Sequence, residues 1–185
     1  MKSLGLVIGY GMGVASLAKG LNCHPVIASG FIELHKRKYS KAWDWRRRRV
    51  DAAFLHRRME SVFGWPLHLS TSPNERTLYN FPMQAGGAEM MRLATCRLCD
   101  AGLTPCMLVH DGILFELDDA EQIAHAREIM AKAALEVCPS LEIGVDLEQD
   151  LRGGQRYVDK REDGKKLWAT LMDVLESIGA LPKRA

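Results

Sequence analysis

The sequence has no long apolar run. A transmembrane helix needs about 18 consecutive apolar residues, and charged residues interrupt every apolar stretch of this chain before that length is reached. We therefore expect a soluble protein with no membrane partner. The chain also shows no basic, apolar and small-residue leader of the kind that directs secretion. Its 185 residues, 47% of them hydrophobic, suffice for one domain or for two small lobes around a shared core.

The cysteines are odd in number, which argues against a disulfide framework. Five are present, whereas a secreted scaffold normally pairs an even set. Cys96 and Cys99 have the spacing seen in zinc sites, but the sequence offers neither a second pair nor a suitably spaced histidine. We therefore predict core thiols in the reducing cytoplasm.

The formal net charge of +2 hides a strong segregation of charge. Four acids lie from Glu33 to Glu60, against ten basic residues: Lys36, Arg37, Lys38, Lys41, Arg46, Arg47, Arg48, Arg49, Arg57 and Arg58. From Asp111 to Asp150 the balance reverses. The basic segment, interleaved with aromatic residues, fits a track for phosphates. It fits equally well a solvated helix face whose two tryptophans, Trp43 and Trp45, pack on the core.

Apolar spacing predicts a helical first half. We expect one helix over residues 2–21 and a second, long helix from residue 25 or 29 to about residue 62, ended by Gly64. A short strand at residues 66–69 follows. Pro82 suits the first turn of a further helix that ends at Ala101-Gly102.

The second half switches to strand signals. Apolar runs at residues 106–109 and 113–117 flank His110-Asp111-Gly112, which predicts a β-hairpin. Asp118 and Asp119 are typical of a helix N-terminus, and we expect that helix to end near Val137. A strand over residues 141–147 and a final helix over residues 165–178 complete an α+β fold with an antiparallel sheet.

Three motifs, taken in chain order, carry a resemblance. They are Lys2 with Tyr10-Gly11-Met12, then the series Arg76, Asn80 and Gln84 with Pro82-Met83 before the glutamine, and then His110-Asp111 in the hairpin. In this order they resemble the carboxy-terminal third of a family A DNA polymerase, the bacterial DNA polymerase I type. The resemblance implies a fingers-like helical segment at residues 1–63 and a palm-like segment at residues 64–185.

The resemblance implies DNA contacts for Arg76, Asn80, Gln84 and His110. In the family such side chains reach the minor groove of primer and template, where every base pair presents acceptors, so pair shape is tested without reading sequence. The alternative is a helix N-terminus capped by Asn80, with Gln84 merely exposed.

The first motif implies nucleotide binding by Lys2 and Tyr10. In the family a lysine at this place contacts the triphosphate, a charge-assisted interaction, and the tyrosine stacks near the new pair. Leu6 stands where the family often has an aromatic residue. The alternative for Lys2 is a disordered terminal residue.

The hairpin implies that Asp111 is a catalytic residue and a ligand of Mg²⁺. The family's His-Asp-Glu triplet is here His110-Asp111-Gly112, so the second acid is replaced by glycine. Two-metal phosphoryl transfer also needs an aspartate from an upstream strand, motif A, which this chain lacks. The alternative is an ordinary turn aspartate, because Asp-Gly is common in turns.

Three functions remain open at this point. The first is a truncated or split polymerase segment that binds primer–template DNA and deoxynucleoside triphosphates, and that transfers nucleotides only when an upstream fragment supplies motif A and the thumb. The second is a non-catalytic nucleic-acid-binding remnant. The third is an unrelated α+β interaction module whose segregated charges mediate self-association.

Overall fold

The computed structural model describes residues 2–152, 157, 159 and 161–180, with side chains from Leu4 onward. It is an α+β fold of seven helices and two small antiparallel sheets among these residues, which confirms the predicted class. The chain forms two compact units, Met1–Val145 and Asp146–Ala185. The division at residue 63 into fingers-like and palm-like segments stays a prediction.

The first predicted helix is two helices. Helix α1 covers Lys2–Gly9 and α2 covers Val14–Leu21. Between them Gly11 adopts a φ of +79°, a left-handed conformation that glycine reaches without steric penalty. The expectation of one helix over residues 2–21 was therefore wrong, because the helix breaks between Gly9 and Val14.

The long basic helix is also divided. Helix α3 covers Pro25–Lys38 and α4 covers Ser40–His56, with non-helical Tyr39 at the junction. Arg57, with a φ of +56°, ends α4 and leads into strand β1. The expectation of a single helix to residue 62 was wrong because the chain turns back into a strand pair, β1 at Arg58–Glu60 and β2 at Pro66–His68. The predicted short strand is β2.

Helix α5 is the longest element, covering Glu75–Asp100. Asn74 caps its N-terminus, since its side chain accepts a hydrogen bond from the Arg76 amide at 2.9 Å. Pro82 therefore lies inside the helix. The expectation that it would lie in the first turn was wrong. Gly102, with a φ of +78°, ends the helix as predicted.

The predicted hairpin and the helix after it are present. Strand β3 covers Pro105–Val109 and pairs antiparallel with β4, Gly112–Phe115. Helix α6 covers Ala120–Val137, and Asp119 caps it by accepting from the Gln122 amide. The hairpin packs on α5 and α6 around a shared core of Ala94, Leu98, Leu103, Ala126 and Ala133.

The strand predicted at residues 141–147 does not form. A strand is stabilised by backbone hydrogen bonds to a neighbour, and each sheet within the described residues has only two strands, paired with each other. The side chain of Arg127 instead donates to the Val145 carbonyl at 2.7 Å. In the second unit, α7 covers Glu162–Ser177, close to the predicted final helix. No helix in the described ranges is long and apolar enough to cross a membrane.

Candidate nucleic-acid interface

The end of α1 is held by donors from two distant helices. Arg76 Nε donates to the Tyr10 carbonyl at 3.0 Å, and Asn80 Nδ2 donates to the same oxygen at 3.2 Å. Arg46 on α4 donates to the neighbouring Gly9 carbonyl. Three side chains, 37, 66 and 70 positions away from their acceptors, thus converge on two consecutive backbone carbonyls.

These contacts have a simple electrostatic cause. The last carbonyls of a helix have no partner within it and carry the negative end of the helix dipole. The Arg46 and Arg76 guanidinium groups complement that partial charge. A Cβ on Gly11 would lie 3.5 Å from Arg76 Cγ, so the chain passes close to the arginine stem at this break.

The contacts of Arg76 and Asn80 with the Tyr10 carbonyl place Tyr10 beside the start of α5. We call this contact the Tyr10 junction. Tyr10 is 38% exposed and therefore accessible to a ligand. The Oδ1 atom of Asn80 is buried and has no hydrogen-bond partner among the described residues. An unsatisfied buried acceptor costs about 1–3 kcal/mol. A ligand that donates to this oxygen would recover part of that cost.

Arg76, Asn80 and Gln84 follow one another at four-residue steps on α5. Such residues lie on the same side of a helix, about 6 Å apart along its axis. Gln84 is exposed and, within the described part of the chain, has no hydrogen-bond partner. The structure therefore brings Arg76 and Asn80 together with Tyr10 and leaves Gln84 free to bind a ligand. Asn74, and not Asn80, caps the helix.

The hairpin turn presents His110 and Asp111 to solvent. Val109 pairs with Gly112, so the turn consists of these two residues, and His110 has a φ of +54°. A non-glycine residue in this conformation is uncommon and marks a tight turn. A Cβ on Gly112 would lie 3.4 Å from the Val109 carbonyl oxygen, an ordinary van der Waals contact.

The described residues do not by themselves fit a two-metal site. They contain no group of three or more histidine, cysteine, aspartate or glutamate side chains placed to hold a metal ion. Asp111 stands alone at its turn, whereas a bridged metal pair needs a second carboxylate. The side chain of Lys2, the expected triphosphate ligand, lies outside the described residues.

Much of the basic segment has a structural use that its sequence did not reveal. Trp43 packs with the cluster of Ile8, Leu17, Ala18 and Ala28, and its indole donates to His35 Nδ1 at 3.1 Å. Other members are tied to acids or carbonyls: Lys36 to Glu33, Arg46 to Gly9, Arg47 to Asp44, Arg49 and Arg58 to Glu60, and Arg57 to Ser70. Sequence analysis missed Arg46 as a residue that holds the α1 end, because no local pattern distinguishes it from its three arginine neighbours.

The sequence is similar to DNA polymerases of one family. The family model described as DNA polymerase family A matches residues 1–159. The chain is 25% identical over 173 residues to DNA polymerase I of Rhizobium leguminosarum, which covers 84% of this chain and 17% of the relative. It is 27% identical over 176 residues to the thermostable DNA polymerase I of Thermus thermophilus, which covers 87% of this chain and 20% of the relative.

A solved structure shares the fold. It is a POL domain from M. smegmatis in complex with DNA primer-template and dNTP, with a TM-score of 0.64, 24% identity, and coverage of 78% of this chain and 28% of that chain. The chain spans at most a fifth of the two curated relatives named above. Because the family model matches most of its residues, this chain belongs to DNA polymerase family A.

Proposed function

We propose that this chain forms the DNA- and nucleotide-contacting part of a template-directed DNA polymerase. The observation that carries the proposal is the junction at Tyr10, to whose carbonyl Arg76 and Asn80 both donate. It joins the helix expected to hold the incoming nucleotide to the helix expected to hold primer and template. A polymerase needs these two ligands to meet at one place.

Arg76, Asn80 and Gln84 form a row along α5, which we call the α5 row. Its chemistry suits the minor groove of DNA. Every base pair presents acceptors there, and Arg76, Asn80 and Gln84 all carry N–H donors. Gln84 has its full hydrogen-bonding capacity available, whereas Arg76 and Asn80 already spend one donor each on Tyr10. Guanidinium and amide groups carry further donors, so both can hold the junction and still contact DNA.

Chain geometry supports a place for His110 near this row. Strand β3 has five residues and so spans about 16 Å, equal to roughly eleven residues of helix. It starts shortly after α5 ends, and Ile113 and Phe115 of the hairpin pack with Leu98 of that helix. A hairpin that folds back along α5 would bring its turn level with about residue 89 of the helix, roughly 8 Å along the axis from Gln84.

Nucleotidyl transfer requires a second metal-binding carboxylate besides Asp111. We propose that Asp111 supplies one carboxylate to a Mg²⁺ pair and that an upstream polymerase fragment supplies the other, together with the thumb. Under that proposal the chain is one part of a split or longer enzyme that acts on primer–template DNA and deoxynucleoside triphosphates in the cytoplasm. The proposal follows from carboxylate number, because one aspartate alone does not supply enough ligands to organise a two-metal site.

The second candidate is a nucleic-acid-binding remnant without catalysis. The observation that favours it is Gly112, which replaces the second acid of the hairpin and leaves Asp111 alone. DNA would then be bound by the α5 row and by the basic-segment residues that have no acid or carbonyl partner among the described residues. No nucleotide would be transferred, whatever fragment was added.

The binding function common to both candidates can be tested on Gln84. A fluorescein-labelled primer–template duplex is titrated with the chain at low salt, and anisotropy gives the Kd. We expect Gln84→Ala to weaken binding several-fold, because the side chain is exposed and has no internal partner within the described ranges. The matched control is Met83→Ala, its exposed neighbour on α5, which should leave the Kd unchanged. Equal affinities for all three proteins would contradict the proposed role of the α5 row.

A further inference from the structure

Helix α7 lies beyond the part of the chain that the family model matches. The match ends at residue 159, and α7 covers Glu162–Ser177. The structure describes all 16 of its residues, and none of them is buried. Helices in proteins gain most of their stability from packing of an apolar face against a partner. The apolar face of α7 is therefore the part of this extension that calls for an explanation.

Four apolar side chains form an exposed stripe along α7. They follow one another at steps of four, three and four residues, and their exposed fractions are 72% for Leu167, 44% for Leu171, 50% for Val174 and 68% for Ile178. Ile178 follows the helix, but its amide donates to the Val174 carbonyl at 3.1 Å and so continues the last turn. We call these four residues the α7 stripe. Its spacing is that of the apolar seam between two coiled helices.

The charges of α7 disfavour two other kinds of partner. Its four acids outnumber its two lysines, the six residues being Glu162, Asp163, Asp173, Glu176, Lys165 and Lys166. A net acidic helix is repelled by the phosphates of DNA. It also lacks the lysine- and arginine-rich polar face of helices that lie on anionic membranes. The stripe is better suited to another helix with an apolar seam.

A second copy of the chain offers such a seam, and the stripe is complementary to itself in the antiparallel direction. Antiparallel pairing of all four positions sets Leu167 against Ile178 of the second copy, and Leu171 against Val174 of the second copy. Each layer then contains one leucine and one β-branched residue, so all four layers are of similar size. Parallel pairing would instead set leucine on leucine in two layers and β-branched residues on each other in the remaining two.

Electrostatics favour the same direction. Lys165 pairs with Glu162 at 2.7 Å within its own helix, whereas Lys166, Asp173 and Glu176 form no ion pair with another described residue. Parallel pairing would set each of these charges level with its own copy. Antiparallel pairing brings Lys166 to within about 5 Å, measured along the axis, of Glu176 in the second copy. It also opposes the two helix dipoles.

We propose that the α7 stripe joins two copies of this chain as an antiparallel helix pair. An interface of four layers is small, so the dimer is weak and reversible. The proposal goes beyond the proposed function and concerns residues outside the family match. Its test uses no DNA, so its failure would leave the proposed function untouched.

Sedimentation equilibrium of the full chain tests the association. The average mass should rise from 20.7 kDa toward twice that value as the concentration increases from about 1 µM to about 1 mM. Leu171→Glu should weaken the dimer about a hundredfold or more, because both copies lose a buried leucine. Leu167→Glu, at the most exposed position of the stripe, should act in the same direction. The matched control is Ala169→Glu, which adds the same charge on the opposite, exposed face of α7 and should leave association almost unchanged.

Disulfide cross-linking tests the direction of the pair. The background is the full chain with its exposed thiols, Cys96, Cys99 and Cys106, changed to serine. A mixture of Leu167→Cys and Ile178→Cys chains should give a linked dimer, since the pairing sets these two positions opposite each other. Leu167→Cys alone should link much more slowly, because its two copies lie about 16 Å apart along the axis. Rapid linking of Leu167→Cys alone would show a parallel pair and contradict the proposed one.

The remaining outcomes are also decisive. A parent chain that stays monomeric up to about 1 mM, a dimer that survives both glutamate variants, or a dimer lost equally in Ala169→Glu overturns the proposal. If a monomeric parent chain instead cosediments with phosphatidylserine vesicles and Leu171→Glu does not, the stripe is a membrane contact and the proposal fails. If one glutamate variant fails to fold by circular dichroism, the other decides, and cross-linking decides if both fail.

Discussion

Asn80 reaches across 70 positions of the sequence to donate its amide to the Tyr10 carbonyl, while its own side-chain oxygen stays buried without a partner. The same residue thus satisfies one backbone acceptor and leaves another acceptor unsatisfied. Such an imbalance is unusual for a side chain that serves only the fold. It makes Asn80 the most informative position for substitution in this chain.

Asn80→Asp should destabilise the protein more than Asn80→Ala. Aspartate has the same shape but sets a carboxylate oxygen against the Tyr10 carbonyl, and we expect a loss of about 1–3 kcal/mol in the free energy of unfolding. Alanine removes the hydrogen bond and the unsatisfied oxygen together, so its loss should be smaller. Urea denaturation followed by circular dichroism measures both. Gln84→Glu, an exposed change of the same type, should leave stability unaffected; a stable Asn80→Asp protein would contradict the assigned contact.

Gly11→Ala and Gly20→Ala should act in opposite directions. Gly11 has a φ of +79°, where a Cβ is strained, so alanine there should cost about 1–2 kcal/mol of unfolding free energy. Gly20 lies in α2 with open space around it, and alanine there should add up to about 1 kcal/mol. Thermal unfolding of the two single variants beside the parent chain gives both signs. Two shifts of the same sign would argue against the break between α1 and α2.

DNA binding should weaken steeply with salt and depend on arginines that have no internal partner. Arg48 makes no ion pair or hydrogen bond within the described part of the chain, whereas its neighbour Arg47 pairs with Asp44 at 2.9 Å. Arg48→Ala should lower the slope of log Kd against log salt by about one. Arg47→Ala should lower it less. Anisotropy titrations at several salt concentrations measure the slopes, and a Kd that ignores salt would exclude a phosphate-binding role.

Primer extension should require Asp111 and a second polypeptide. The chain alone, with magnesium, nucleotides and a primer–template, should give no extension, since one aspartate alone cannot organise a two-metal site. Adding a polymerase fragment that carries the motif A aspartate and the thumb should restore extension if the enzyme is split. Gel analysis of a labelled primer is the measurement.

The matched variants for this experiment are Asp111→Ala and Asp118→Ala. The first should abolish restored extension and the second, an exposed acid after the hairpin, should not. Robust extension by the chain alone, or by a complex bearing Asp111→Ala, would show that the metal-binding role is misassigned. Failure of every complemented mixture, together with intact DNA binding, would favour the non-catalytic remnant.

The parts of the fold that could be predicted are those with local signals. The hairpin around His110-Asp111 follows from a turn sequence between two apolar runs, and the start of α6 follows from Asp119, whose side chain makes the expected cap. The end of α5 follows from Gly102. Each depends on residues a few positions apart, so the sequence contains the whole interaction.

The parts that could not be predicted depend on distant partners. The apolar pattern from residue 25 to residue 62 continues through Tyr39 and Arg57, and only packing shows that the chain bends at both. Pro82 is tolerated inside α5 although proline usually marks a first turn. The segment at residues 141–147 alternates like a strand but pairs with no strand among the residues that the structure describes. The junction at Tyr10 needed contacts over 66 and 70 positions, which no local pattern encodes.

Because the acceptor at Tyr10 is a main-chain oxygen, the atoms that fix this position differ from the atoms that would meet a ligand. Arg76 and Asn80 hold the path of the backbone whatever side chain residue 10 carries. The ring can therefore be exchanged without moving its anchor. Position 10 offers an independent handle for redesign: its chemistry can be varied while its location is conserved.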